Sequence, residues 1–471
     1  MKSKTVIFIN MLLSTYRQFI SILRLTPFDT ATIEGRSKER YRRIGLTSLA
    51  AIAAKGIIAT TALVSVPLTL NYLGAERYGL WMTISSVIAF LGFADLGIGN
   101  GLVNLIAEAN GKDDVESVRR YVSSGFFFLA GIALLILTGF IAMYSLIPWA
   151  HIYNVTSDLA VNEAGPATAV LIISFVINMP LGIVQQVQMG YQEGHKNYLW
   201  SAVGALLGLA GVLLAIRLQA GLPWLVFAMS SGPIIGLLFN WMQSFGSSHQ
   251  LLVPNFNSFN WQKSRVLAKI GMAFFALQLF TLIGMYSDNI IIAQMLGAPA
   301  VAGYAVVQKI FLMTLMAQYF LTPLWPAFGE ALARNELAWA RRALNKALVF
   351  SLGLGVITSF PLLVLGQHII SVWVSPDVVP SKILLLGFTF WTLVNCIVGP
   401  ISIYLNSGVL IKRQVVLVGF AALFSLVLKI IGVQYFRIEG VIWATVVGYG
   451  VFYIVPAIKL AFTSLKRPNN D

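Results

Sequence analysis

Five charged side chains fall inside stretches long and apolar enough to cross a bilayer: Lys55, Asp95, Asp288, Lys309 and Lys429. A charge at the centre of a membrane costs about 2.5–3.5 kcal/mol on insertion scales, so it faces a partner, a bundle interior or a wet cavity. Ions of both signs kept across many spans point to a polar pathway for charged cargo. Lys55 lies near the middle of the first span, too deep to snorkel easily to either interface. It either holds an anionic group of the cargo or pairs with Asp95 or Asp288. Lys309, six residues past Gly303, either adds to that cationic surface or snorkels. Lys429, nearer its helix end, is expected to snorkel.

The two carboxylates have distinct settings. Asp95 lies in Phe93-Ala94-Asp95-Leu96-Gly97-Ile98-Gly99, where glycines permit a bend or close helix contact. Asp288 follows Tyr286-Ser287 near the outer end of the seventh span. Either could bind a coupling proton or sodium ion, or make a structural hydrogen bond between helices. Asn178 and Gln185, seven residues apart around Pro180-Leu181-Gly182, share a helix face. With Gln186 and Gln188 they form a neutral polar stripe that suits sugar hydroxyls or inter-helix bonding. Trp391 and Trp325 could stack on sugar rings or simply pack.

Other chemistries find no support. There is no GxxxxGK[ST] phosphate loop. The four histidines have no metal-ligand spacing, so no cofactor or metal is expected. The outer loops near 149–164 and 367–381 are short and carry no catalytic constellation, so the chain does not read as an enzyme. Asn154-Val155-Thr156 is a glycosylation sequon, a weak signal.

The elements that must position these residues are membrane helices. Of 471 residues, 58% are hydrophobic and 11% charged, against roughly 45–50% and about 25% in soluble domains. Apolar runs of spanning length lie near 44–70, 79–106, 121–148, 165–190, 199–220 and 222–244. A second set lies near 268–295, 303–328, 344–367, 382–406, 414–433 and 440–462. The expected fold is all-α and polytopic, with about twelve spans in two six-helix lobes. The expected boundaries are a cytoplasmic basic or amphipathic arm (1–43), lobes at 44–244 and 268–462, a linker (245–267) and a tail (463–471). With both termini cytoplasmic, 25 of the 32 Lys and Arg fall on the inner side and four on the outer, as the positive-inside rule requires. The net charge of +14 thus reflects topology and attraction to anionic lipids, and no nucleic-acid partner is needed. Within the arm, Val6 to Leu25 reads as a helix lying on the cytoplasmic face or as part of a disordered arm.

The halves echo one another. Tyr72-Leu73-Gly74-Ala75 matches Met295-Leu296-Gly297-Ala298. Glu108-Ala109 precedes Arg119-Arg120 by the same nine residues that separate Glu330-Ala331 from Arg341-Arg342. Six spans per half give both halves the same orientation, so the implied pseudo-two-fold axis runs along the membrane normal, with a cleft between the lobes.

Tyr72-Leu73-Gly74-Ala75-Glu76-Arg77-Tyr78-Gly79-Leu80-Trp81 and Ala94-Asp95-Leu96-Gly97-Ile98-Gly99 resemble the oligosaccharide flippases of polysaccharide biosynthesis. These belong to the multidrug/oligosaccharidyl-lipid/polysaccharide exporter superfamily. Asp288, Leu296-Gly297 and Gly303-Tyr304 resemble the second-half pattern. The resemblance implies a MATE-like exporter fold with a cationic cavity in the bacterial inner membrane. It implies movement of undecaprenyl-diphosphate-linked oligosaccharide to the periplasmic leaflet, for surface polysaccharide such as O-antigen, driven by a proton or sodium gradient. Membrane lipids and other polysaccharide assembly proteins are the further partners it suggests. Lys55, Lys309, Asn178, Gln185 and Trp391 would then contact substrate, and Asp288 and Asp95 the coupling ion. The alternatives are a cation-coupled multidrug antiporter of the same fold and a glycan polymerase or ligase.

Overall fold

The computed structural model describes residues 26–465, apart from 154, 297, 316–319, 374–379 and 409. The stretch Val6–Leu25, Asn154 of the sequon, and residues 466–471 of the tail lie outside the described residues. Among those described there is helix and turn and no strand. Helices satisfy their own backbone polar groups, which is what hydrocarbon demands of a spanning segment. Nine described helices are long and apolar enough to cross a membrane. The chain is a multi-pass membrane protein.

Local backbone geometry explains where the expected spans depart from these helices. The first helix, Ile33–Leu91, turns at Gly74 (φ 76°, ψ 169°), a conformation that only glycine adopts without strain. The expected span 79–106 is interrupted: residues 92–97 are turn, and the helix Ile98–Gly111 follows. The expected span 303–328 is likewise split between Ala298–Thr314 and Leu324–Ala333. The last two expected spans form one apolar segment, Ile411–Ser464, that breaks at Arg437 (φ 52°, ψ −135°). Gly432 packs against Gly440 and Ser425 against Gly448, so the legs on either side of Arg437 run antiparallel.

The chain divides into two compact units, Met1–Ile106 with Asp114–Ala268, and Ala107–Asp113 with Lys269–Asp471. In the first, the helices Gly194–Arg217 and Leu222–Gln243 form a hairpin in which Gly204 and Gly208 meet Gly232 and Pro233. Small residues let the backbones approach, the usual route to close packing in lipid. At one end Arg77 forks onto Glu163 (Nε–Oε2 2.6 Å, Nη2–Oε1 2.7 Å), whose Oε1 also accepts the Leu222 amide at 2.9 Å. At the other end Glu39 accepts bonds from Arg42, Arg43 and the Phe28 amide, and Arg43 donates to the Tyr191 carbonyl at 2.6 Å. Arg36–Arg43 is therefore helical and partly buried around Glu39, and the helix passes without a break through the expected boundary at 43–44.

The second unit repeats a local device. Asp113 and Asn335 share a left-handed backbone, φ 55° and 61°. The residue before each is a cation bonded four residues back: Lys112 to Glu108 at 2.6 Å, Arg334 to Glu330 at 3.0 Å. The echo around Glu108 and Glu330 in the sequence is thus an echo of structure.

Candidate substrate and ion sites

Asp95 sits in the turn between helices, not within a continuous span. Leu96 (φ 51°) and Gly97 (φ 71°) turn the chain there. The Asp95 carboxylate accepts the amides of Gly97 (2.9 Å) and Gly99 (3.3 Å). That is the work of a residue opening a helix, where the first amides have no intrahelical acceptor. The Gln186 side chain packs beside it against Gly99.

Asn178 and Gln185 do come together. They line a cavity of about 300 Å³ in the first unit with Thr61, Asn197, Ser201 and Asn240. Trp200 is on its wall, and no lining residue is ionisable. Asn178 donates one hydrogen to the Ser174 carbonyl (2.9 Å). Asn240 and Gln188, both fully buried, exchange reciprocal amide bonds of 2.5 and 3.1 Å. Gln188 thus makes the inter-helix bond that is one reading of the polar stripe. Asn197, Ser201 and Asn240 escape a reading of the sequence alone, although Asn197 and Ser201 are one helical turn apart and share a face. Lys55 is half-buried on the first helix, one turn before Ile58 of the cavity wall and on the same face.

The second unit holds the other carboxylate. Lys429 Nζ lies 2.5 Å from Asp288 Oδ1 and bonds the Gly284 carbonyl (2.5 Å) and Ser287 Oγ (3.3 Å). Tyr304 donates to Asp288 Oδ2 at 2.6 Å. Lys429 is 0% exposed. The expectation that it snorkels is corrected: its helix packs so that the ammonium meets a carboxylate from far earlier in the chain, and pairing removes the reason to reach the interface. Asp288 and Trp391 share a cavity of about 30 Å³ with Gln308 and Thr392. That is space for about one water, not a sugar ring. Trp391 stands edge-on to Tyr449 at 5.3 Å and is a packing residue in this conformation. Trp325 similarly packs against Phe274 at 5.5 Å. Lys309 follows Gln308 on the helix Ala298–Thr314 and is exposed.

Helices of membrane length in two units, each with a polar cavity among them, define a multi-pass membrane protein, and its fold is that of the MATE transporters. A MATE transporter solved in its bent conformation superposes with a TM-score of 0.79 at 15% identity, covering 92% of this chain and 97% of that one. The chain belongs to the polysaccharide biosynthesis protein family, which matches residues 46–332. A Salmonella typhi protein named as a candidate O-antigen transporter is 25% identical over 333 residues, 68% of this chain and 72% of its own. A Yersinia pseudotuberculosis protein named as a candidate O-antigen export protein is 22% identical over 396 residues, 82% and 88% of the two chains.

Proposed function

We propose that this protein is a flippase exporting lipid-linked oligosaccharide for O-antigen or a related surface polysaccharide, and that it is a transporter rather than an enzyme. The family match, together with relatives named for O-antigen transport and export, supports the class. The cargo is an undecaprenyl-diphosphate-linked glycan, carried from the cytoplasmic to the periplasmic leaflet of the inner membrane by alternating access. Both termini are cytoplasmic, a placement supported by the 25 to four division of Lys and Arg.

One observation carries the choice of cargo. The cavity of the first unit sets amides and hydroxyls in an apolar wall and has no carboxylate among its lining residues. A cation-coupled drug antiporter needs a carboxylate open to an organic cation, yet Asp288 is already engaged by Lys429 and Asp95 by backbone amides. Neutral amides with a lysine one turn away suit a glycan attached to a diphosphate. Lys55 meets the diphosphate, and Asn178 and Gln185 meet the sugar.

Coupling is assigned to Asp288. A proton delivered there would leave Lys429 charged among neutral oxygens only. That change is large enough to move the helix Trp261–Leu296 against the leg that carries Lys429. Sodium fits less well, because the ammonium already occupies the cation position. Asp95 is left to the helix opening.

Deletion of the gene, with complementation by wild type and Lys55→Ala, tests this reading. The deletion should accumulate lipid-linked oligosaccharide and lose surface polysaccharide, and Lys55→Ala should not restore it at equal protein abundance. Normal surface polysaccharide in the deletion strain, with no intermediate accumulated, would overturn the function; full rescue by Lys55→Ala would remove that residue's role.

A further inference from the structure

We propose that the cavity of the first unit is a subsite for a single uncharged sugar, and that Asn197 and Ser201 define its specificity. This rests on the flippase reading. The volume of about 300 Å³ is that of about ten waters at ~30 Å³ each, the small end of ligand pockets. It admits one ring of a glycan and not a repeating unit of several.

The lining selects the chemistry. Asn178, Gln185, Asn197 and Asn240 are amides, and Thr61 and Ser201 are hydroxyls. Asn178, Gln185 and Asn197 carry donors and acceptors together, as a ring bearing neighbouring hydroxyls requires. Two of the amide orientations are set. The Gln188 amide ties down Asn240, which has no exposed surface and backs the cavity. The Ser174 carbonyl takes one Asn178 hydrogen and leaves the other with the Asn178 oxygen. Asn197 Oδ1 is buried with no donor among the described residues, and a ligand hydroxyl would complete it. Trp200, held through its indole N–H by Gln243 at 2.6 Å, Met229 and Leu237 give the apolar wall that a sugar's C–H face needs.

Charged ligands fit poorly. A uronic acid would bury its carboxylate with no Lys, Arg or His among the lining residues. An amino sugar bearing a free ammonium would find no carboxylate. The charge of the cargo therefore stays with the diphosphate near Lys55, outside the cavity.

The test uses the full-length protein in proteoliposomes and three probes. These are a polyprenyl diphosphate bearing N-acetylglucosamine, the same lipid bearing glucuronic acid, and the bare lipid diphosphate. Wild type should move the neutral glycolipid about tenfold faster than the acidic one. Asn197→Leu should lower the ratio of neutral glycolipid to bare lipid transport about tenfold, and Ser201→Val should lower it in the same direction. Ser201→Val alone decides the point if Asn197→Leu does not fold. Equal rates for the neutral and acidic lipids, or an unchanged ratio in the folded variants, overturn the subsite and leave the flippase standing. Movement of none of the three lipids by wild type overturns the flippase reading, and the subsite with it.

Discussion

Lys429 reaches back to Asp288, on a different helix of the same unit, to place its ammonium 2.5 Å from the carboxylate, and the lysine has no exposed surface. Removing one partner strands the other. Asp288→Ala should destabilise the protein by about 3–5 kcal/mol, whereas Asp288→Leu with Lys429→Met should recover most of that loss. Thermal unfolding in detergent measures both. Equal stability of the single and double variants would mean that the stranded ammonium is not what destabilises Asp288→Ala. Transport should be lost in each, because coupling needs the titrating carboxylate and not merely a folded lobe.

Arg334 forks onto Asp113 at 2.7 and 2.9 Å while holding Glu330 at 3.0 Å. Asp113 is 75% exposed at its side chain, so solvent screens the contact. A double-mutant cycle on Asp113→Asn and Arg334→Gln should give a coupling of about 0.2–1 kcal/mol that shrinks in high salt. Arg334→Lys should lose most of it, since an ammonium cannot make the two-pronged contact. A coupling insensitive to salt would contradict this account.

Glu193 lies between the helices that end at Gly190 and begin at Gly194, bonded by Lys196 (2.8 Å) and His249 (3.1 Å). Burial by itself raises its pKa, but the bonds from His249 and Lys196 outweigh burial and hold it at about 2, below the ordinary 4.5. A depressed carboxylate stabilises the fold above its unfolded pKa and loses that contribution as pH falls through the folded value. The stability from this contact should be whole above pH 4.5 and vanish between 4.5 and about 2. Its size should be about 2 kcal/mol after allowance for partial exposure. Glu193→Gln should flatten that acid limb in urea unfolding followed against pH; an unchanged limb would place the acid sensitivity elsewhere.

The orientation is checked by labelling. Ser248→Cys, exposed after the helix Leu222–Gln243, should react with an impermeant maleimide only in broken cells. Gln219→Cys, exposed in the turn between the helices Gly194–Arg217 and Leu222–Gln243, should react in whole cells whose outer membrane is permeabilised. The native Cys396 is buried and should stay silent. The reverse pattern would invert the topology.

Parts of the site are legible in the residues alone. The glycines around Asp95 announce a break: Gly97 takes a positive φ without steric cost, while Leu96 beside it takes one against its own preference. Asn178 and Gln185 share a face by helical spacing, and the structure puts them on one cavity wall. Lys429 is misplaced by the sequence because depth along a hydropathy run is a one-dimensional measure. Its partner comes from a helix of the same unit but far back in the chain. Asn197 and Asn240 escape for a related reason: each lies near a span end, where polar residues are ordinary, and only packing brings them to the same space.

Composition and charge asymmetry determined that this chain is a helical membrane protein, and the internal echo pointed to two related halves. Those properties follow from the solvent: a bilayer tolerates only self-satisfied backbone, and sorts cations to one side. Which ions meet, which amides share a cavity and where helices break were decided by tertiary packing. A side chain's direction depends on neighbours that the linear order does not name.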